Sequence, residues 1–157
     1  MAERMDHVAQ LGPTLEDIAW HKSGIFKPGA PAFSVIQEAG PSEVLRRRAA
    51  ERNTDLTFVS PSDNLPVNKK VLSAPVQRLN CSLAIQLASG FLQLKASEIL
   101  NADDISKGIN NFSWAGRFEV IDKGSSRWFL DGAHNTLSLE QVAEWFSENI
   151  HAADTPK

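Results

Sequence analysis

The chain has 157 residues, 42% of them hydrophobic and 22% charged, with 16 basic against 19 acidic side chains and a net charge of −3. That length holds one complete domain or parts of two, and that composition excludes both a disordered tail and a disulfide scaffold. Basic residues cluster only at Arg46, Arg47 and Arg48, so the phosphate-contacting footprint of a nucleic-acid binder is missing; no apolar run nears the ~20 residues that span a bilayer, and MAERMDHVAQ lacks the apolar centre of a secretory signal.

Asp6 and His7 stand at the end of a possible strand. Thr14-Leu-Glu-Asp17 then reads as a helix start: the Thr14 hydroxyl can cap backbone N–H groups, and the acid three residues on suits the positive helix end. Leu15, Ile18 and Ala19 supply an apolar face, Gly24 offers a stop, and Lys22 falls in the last turn. Pro31 to Gln37 is a short apolar run between breakers, expected to be a buried strand. Ser42 is expected to cap a helix running to about Arg52, followed by a second strand over 55–60. Strand, helix and strand at this spacing predict a parallel α/β sheet.

Residues 61–73, with Pro61 and Pro66, read as a connection. A long helix is expected from Pro75, with Val76, Leu79, Leu83, Leu87, Phe91 and Leu94 forming a stripe that faces a core. Gly90 inside it signals close packing or simple tolerance, and the single cysteine, Cys81, reads as a small helix thiol with nothing nearby to activate it. Asn101 caps a helix over 102–111, whose end marks the expected domain boundary. Residues 118–121 and 127–130 look like a hairpin joined by 122–126. A last helix from about Thr136 to Ile150 is expected to bury Leu139, Val142, Ala143 and Phe146.

The second strand of that hairpin runs into Asp131-Gly-Ala-His-Asn135 and then the helix. A Gly-containing strand-to-helix turn sets backbone N–H groups and a helix N-terminus beside polar side chains, which suits an anionic or nucleotide group, although Asp, Gly and Asn also serve turns alone. His7 alone is an ordinary loop histidine, and Lys22 and Lys27 alone are solvated helix-end lysines.

Three segments taken together say more. Asp6 to Lys27 resembles the DHxxxLGxTLxxIAxxKxGIFK signature of folylpolyglutamate synthases in the Mur ligase superfamily. Trp114-Ala-Gly-Arg117 resembles that family's WPGR motif, and Asp131-Gly-Ala-His-Asn135 its DGAHN motif, in the same order. Pro75 to Asn80 resembles the start of the family's long helix. The resemblance implies an α/β fold: part of the central Mur-ligase ATPase domain over 1–112, then the beginning of the C-terminal Rossmann-like domain over 113–157. It implies ATP-dependent addition of glutamate to the γ-carboxylate of tetrahydrofolate through an acyl phosphate, with ATP and Mg2+ as cofactors and folate and glutamate as substrates. Residue by residue, it implies His7 as a magnesium ligand and Lys22 as the lysine that is carbamylated to a metal-binding carboxylate. Arg117 and Asp131 become ATP contacts, and His134 a group on the glutamate or phosphate side. The full-length enzyme would be a monomer, cytoplasmic, with the mitochondrion open as a second compartment. Dihydrofolate synthase and a non-catalytic scaffold of the same family are the competing readings. The family's GxxGKGS phosphate loop does not occur in these residues, Ala115 stands where proline is usual, and Pro75-Val76 replaces a polar pair, so an internal piece with little turnover of its own is expected.

Overall fold

A computed structural model describes residues 8–66, 72, 74–96 and 100–153; His7 lies outside them. The first elements are a short helix α1 (Val8–Leu11) and α2 (Leu15–Lys22), which continues into a 3₁₀ turn over Ser23–Ile25. The start of α2 is a complete capping box. The Thr14 hydroxyl oxygen accepts the Asp17 N–H at 3.1 Å, and the Asp17 carboxylate accepts the Thr14 N–H at 3.2 Å. Gly12 makes room for this: its φ is +101°, and a Cβ there would lie 2.6 Å from that of Asp17.

Strands β1 (Ala32–Val35) and β2 (Leu56–Val59) pair in parallel, Ala32 opposite Leu56 and Val35 opposite Val59, joined through α3 (Ala39–Glu51). This is the parallel unit expected from the sequence. The long helix α4 (Pro75–Ala96) packs on both strands. Beneath them Ala19, Phe26, Ala32, Val44, Leu45 and Ala49 form a buried cluster with Leu56 and Phe58 against it. A buried Val or Leu stabilises by about 1.5–3 kcal/mol, so this cluster anchors α2 to the sheet.

Helix α3 begins three residues before the expected Ser42 cap. Pro41 falls in its first turn, where a missing N–H leaves no bond unmade, so proline can be built into the helix start. Ser42 is buried inside the helix and donates its hydroxyl to the Gln37 carbonyl at 3.1 Å.

The stripe expected to bury along α4 is only half-buried in its first half, at Val76, Leu79 and Leu83, and lies outside in its second. Leu87, Phe91 and Leu94 are 50%, 62% and 58% exposed. The packed face instead carries Ser82, which accepts the Ser62 N–H at 2.9 Å, and Gly90, where an added Cβ would stand 3.1 Å from the Phe33 ring. Small residues let the sheet approach closely, and the helical period cannot reveal that. A second cluster of Leu65, Leu72 and Ile109, with Cys81, Ile85 and Ile105 against it, joins α4 to α5 (Ala102–Asn111). Asn101 and Asp104 form the capping box of α5, as its sequence implies.

The hairpin strands β3 (Glu119–Lys123) and β4 (Ser126–Leu130) run longer than the sequence suggested, with Lys123 opposite Ser126 and Gly124 at φ +60° in the two-residue turn. Helix α6 (Thr136–Ala153) follows. Its buried centre is Trp145, 3% exposed, while Leu139 and Phe146 are 54% and 41% exposed, so the expected inward face is rotated by about one residue. Trp145 takes the Phe118 and Phe129 rings edge-on at 5.3 and 5.5 Å between centroids, and Phe146 meets Phe129 at 4.9 Å. Four large aromatic side chains fill this small hairpin–helix unit more fully than the aliphatic stripe could.

Candidate nucleotide-contacting site

Trp114, Ala115, Gly116 and Arg117 form a closed turn, in which the Arg117 N–H donates to the Trp114 carbonyl at 3.2 Å. Gly116 has φ +69°, and Phe118 is left-handed at +46°, a conformation that costs a non-glycine residue about 1 kcal/mol or more. Two carboxylates hold it there. The Gly116 N–H donates to Glu119 Oε2 at 2.7 Å, and the Phe118 N–H donates to Asp131 Oδ2 at 2.8 Å. Charge-assisted bonds of this length are about twice as strong as neutral ones, which offsets the backbone strain. The Trp145 contact holds the Phe118 ring from the other side.

This clamp directs the Arg117 side chain across to the loop after β4. Its guanidinium occupies the space a Cβ on Gly132 would fill, and lies 6.0 Å from the Trp114 ring centroid. The loop itself is organised by the start of α6. Asn135 Oδ1 accepts the Ser138 N–H at 3.0 Å, and the Ser138 hydroxyl oxygen accepts the N–H groups of His134 and Asn135 at 3.3 and 3.2 Å. His134 Nδ1 lies 3.1 Å from the Gly132 carbonyl oxygen, a bond made when that nitrogen carries the proton. Arg117 and His134, singled out from two separate motifs, both reach Gly132, while the Asp131 carboxylate holds the Phe118 N–H of the turn that carries Arg117. A cation beside a helix N-terminus can neutralise and orient a phosphate group.

Lys22 belongs to a different place. It is the exposed last residue of α2, and the helix end beneath it is clamped. Ser23 is fully buried, donates its hydroxyl to the Trp20 carbonyl at 2.6 Å and accepts Arg48 Nε–H at 3.2 Å. Arg48, only 14% exposed, also pairs with Glu51 at 2.6 Å and lies 5.0 Å from the Trp20 ring centroid. No three His, Cys, Asp or Glu side chains among the described residues converge to hold a metal. His7, the expected ligand, lies outside those residues, so the described side chains do not by themselves build a cation site.

Sequence reasoning missed Gly132, Glu119, Phe118 and the Ser23–Arg48 pair. Gly132 sits inside a motif that was noticed, and its lack of a side chain was the available signal. The others act through tertiary neighbours. An apolar cavity of about 380 Å³ between α4 and α5, walled by Ile85, Ala88, Ile105 and Ile109 and ending at Trp114, was also not foreseen. Cys81 lines it, and burial pushes its thiol above the ordinary value, with the Arg78 charge pulling partly back.

The arrangement is the partial Mur-ligase-type α/β fold expected from the sequence. Among solved structures the chain is similar to the apo form of Lactobacillus casei folylpolyglutamate synthase, with a TM-score of 0.76 and 21% identity over 92% of this chain and 40% of that one. It is also similar to the Thermotoga maritima folylpolyglutamate synthase, with a TM-score of 0.67 and 23% identity over 85% and 35%. A complex of the same kind of enzyme with AMPPCP and folate gives 0.76 and 21% over 92% and 40%. In sequence the chain is homologous to folylpolyglutamate synthase: it is 39% identical over 165 residues to the protein of Saccharomyces cerevisiae strain AWRI796, and equally to that of strain S288c, covering 98% of this chain. It spans about 30% of the length of those curated relatives. No family model matches the chain.

Proposed function

We propose that this chain is the part of a folylpolyglutamate synthase that joins the metal-side lysine to the nucleotide-contacting turn, within an ATP-dependent ligase that adds glutamate to the γ-carboxylate of tetrahydrofolate. The meeting of Arg117 and His134 at Gly132, with Asp131 bound to the Phe118 N–H of the adjoining turn, in a chain homologous to these enzymes over almost its whole length, carries the reading. The carboxylate oxygen attacks the terminal phosphorus of ATP and ADP leaves. The glutamate amine then attacks the acyl phosphate, releasing inorganic phosphate and a proton. Phosphoryl transfer depends mostly on positioning and charge neutralisation, and a guanidinium delivered from a clamped turn supplies the charge. Asp131 spends one carboxylate oxygen on the Phe118 N–H, and its other oxygen serves a polar group of the nucleotide. His134 stands on the phosphate or glutamate side of the same loop.

On this reading residues 1–112 and 113–157 are parts of two domains, the central ATPase and the C-terminal glutamate-ligase domain. His7 and a carbamylated Lys22 would hold Mg2+, which would neutralise charge on the transferred phosphoryl group, and domain closure would bring the Arg117 turn to the nucleotide. ATP and Mg2+ are its cofactors, folate and glutamate its substrates, and the full-length protein is a cytoplasmic monomer with a possible mitochondrial form. Among the described residues no helix is long and apolar enough to cross a membrane.

Grafting the chain in place of the matching stretch of the yeast relative tests this. The graft is expected to extend tetrahydrofolate with labelled glutamate, and Arg117→Ala is expected to abolish the extension. A folded graft that binds Mg-ATP without adding glutamate, or that accepts only dihydropteroate, refutes the assignment.

A further inference from the structure

We infer that Arg48 is a positioning residue that fixes the carboxyl end of α2 and thereby the direction of Lys22. This rests on the reading of Lys22 given above. An arginine with 14% of its side chain exposed is costly to bury unless its donors are met, and here each bond ties α3 to the last turn of α2 or to its own helix. Nε–H goes to the hydroxyl of Ser23, the residue after Lys22; Nη1 goes to Glu51; and the planar face lies over Trp20. Ser23 in turn donates to the Trp20 carbonyl, so the α2 backbone on both sides of Lys22 is pinned to one guanidinium. The fully buried Ser23 hydroxyl thus has both its capacities met at a helix end, where water usually serves the last carbonyls: it donates to Trp20 and accepts from Arg48. Lysine cannot replace this arginine, because a point ammonium lacks the fork that meets Ser23 and Glu51 while stacking on an indole.

The test uses the full chain with Arg48→Lys and Ser23→Ala, which preserve charge and volume respectively, beside Arg48→Ala. Amide hydrogen exchange is read at Ser23 and Phe26, whose N–H groups close the last turn of α2 and the 3₁₀ turn, with Phe112 after α5 as the internal reference. In parallel, Lys22 carbamate is trapped by alkylation in ¹³C-bicarbonate and measured by mass spectrometry relative to Lys107. All three variants are expected to speed exchange at Ser23 and Phe26 about tenfold without changing Phe112, as loss of one charge-assisted bond implies, and to lower the Lys22 to Lys107 trapping ratio severalfold. Wild-type exchange rates in all three variants overturn the proposal. Faster exchange with an unchanged trapping ratio also overturns it, leaving a clamp of purely structural value. A wild-type Lys22 that traps no better than Lys107 sinks the reading of Lys22 itself, and with it any role of Arg48 toward that amine.

Discussion

Gly132→Ala separates the fold of this unit from its proposed use. The backbone of Gly132 lies outside the left-handed region, so alanine is allowed there, yet its methyl would occupy the volume now held by the Arg117 guanidinium. The obstacle is the far end of a flexible side chain, so the guanidinium swings away and stability changes by only about 0.5 kcal/mol, as for most surface substitutions. A phosphate contact from that guanidinium contributes about 1.5–3 kcal/mol, so its displacement weakens nucleotide binding roughly ten- to hundredfold. Isothermal titration with Mg-ATP should therefore give the same loss for Gly132→Ala and Arg117→Ala, and no further loss for the double variant, since both remove one interaction. Full binding by Gly132→Ala, or additive losses in the cycle, would refute the claim that Gly132 acts by admitting Arg117.

Trp145→Ala removes the ring that packs both Phe118 and Phe129 and should cost about 3–5 kcal/mol, seen as early melting of the hairpin–helix unit by near-ultraviolet dichroism; a shift under 1 kcal/mol contradicts its place at the centre. Cys81, its thiol raised by burial, should alkylate more slowly in the native chain than after denaturation, with the native rate rising only at a higher pH. Asp122 and Arg127 meet across the hairpin at 2.6 Å, and the hydrogen bond from Arg127 holds the Asp122 carboxyl below its ordinary value. A depressed carboxylate pKa means the contribution is present above about pH 4 and is lost as pH falls through the lower folded value, so the hairpin amide shifts should move only in strong acid and less at high salt. The two-stranded parallel sheet, with Ile36, Leu87, Phe91 and Leu94 exposed nearby, should make the chain self-associate in sedimentation as concentration rises; a monodisperse, cooperatively melting monomer counts against this.

Local rules in the sequence settled the element ends that local chemistry controls. Thr14 with Asp17 and Asn101 with Asp104 are reciprocal caps made within four residues, so their spacing alone determines two helix starts. The parallel β–α–β unit and the two glycine-bearing motifs were legible for the same reason. Which face each helix turns inward was decided by tertiary packing. Gly90 admits Phe33 to α4, leaving Leu87, Phe91 and Leu94 outside, and Trp145 displaces the aliphatic stripe of α6 because burying one large ring against two others removes more apolar surface from water. The meeting of Arg117 with Gly132, and of Arg48 with Ser23, joins residues 15 and 25 positions apart. Such pairings depend on where β4 returns beside the turn and α3 beside α2, and only the folded chain fixes those distances.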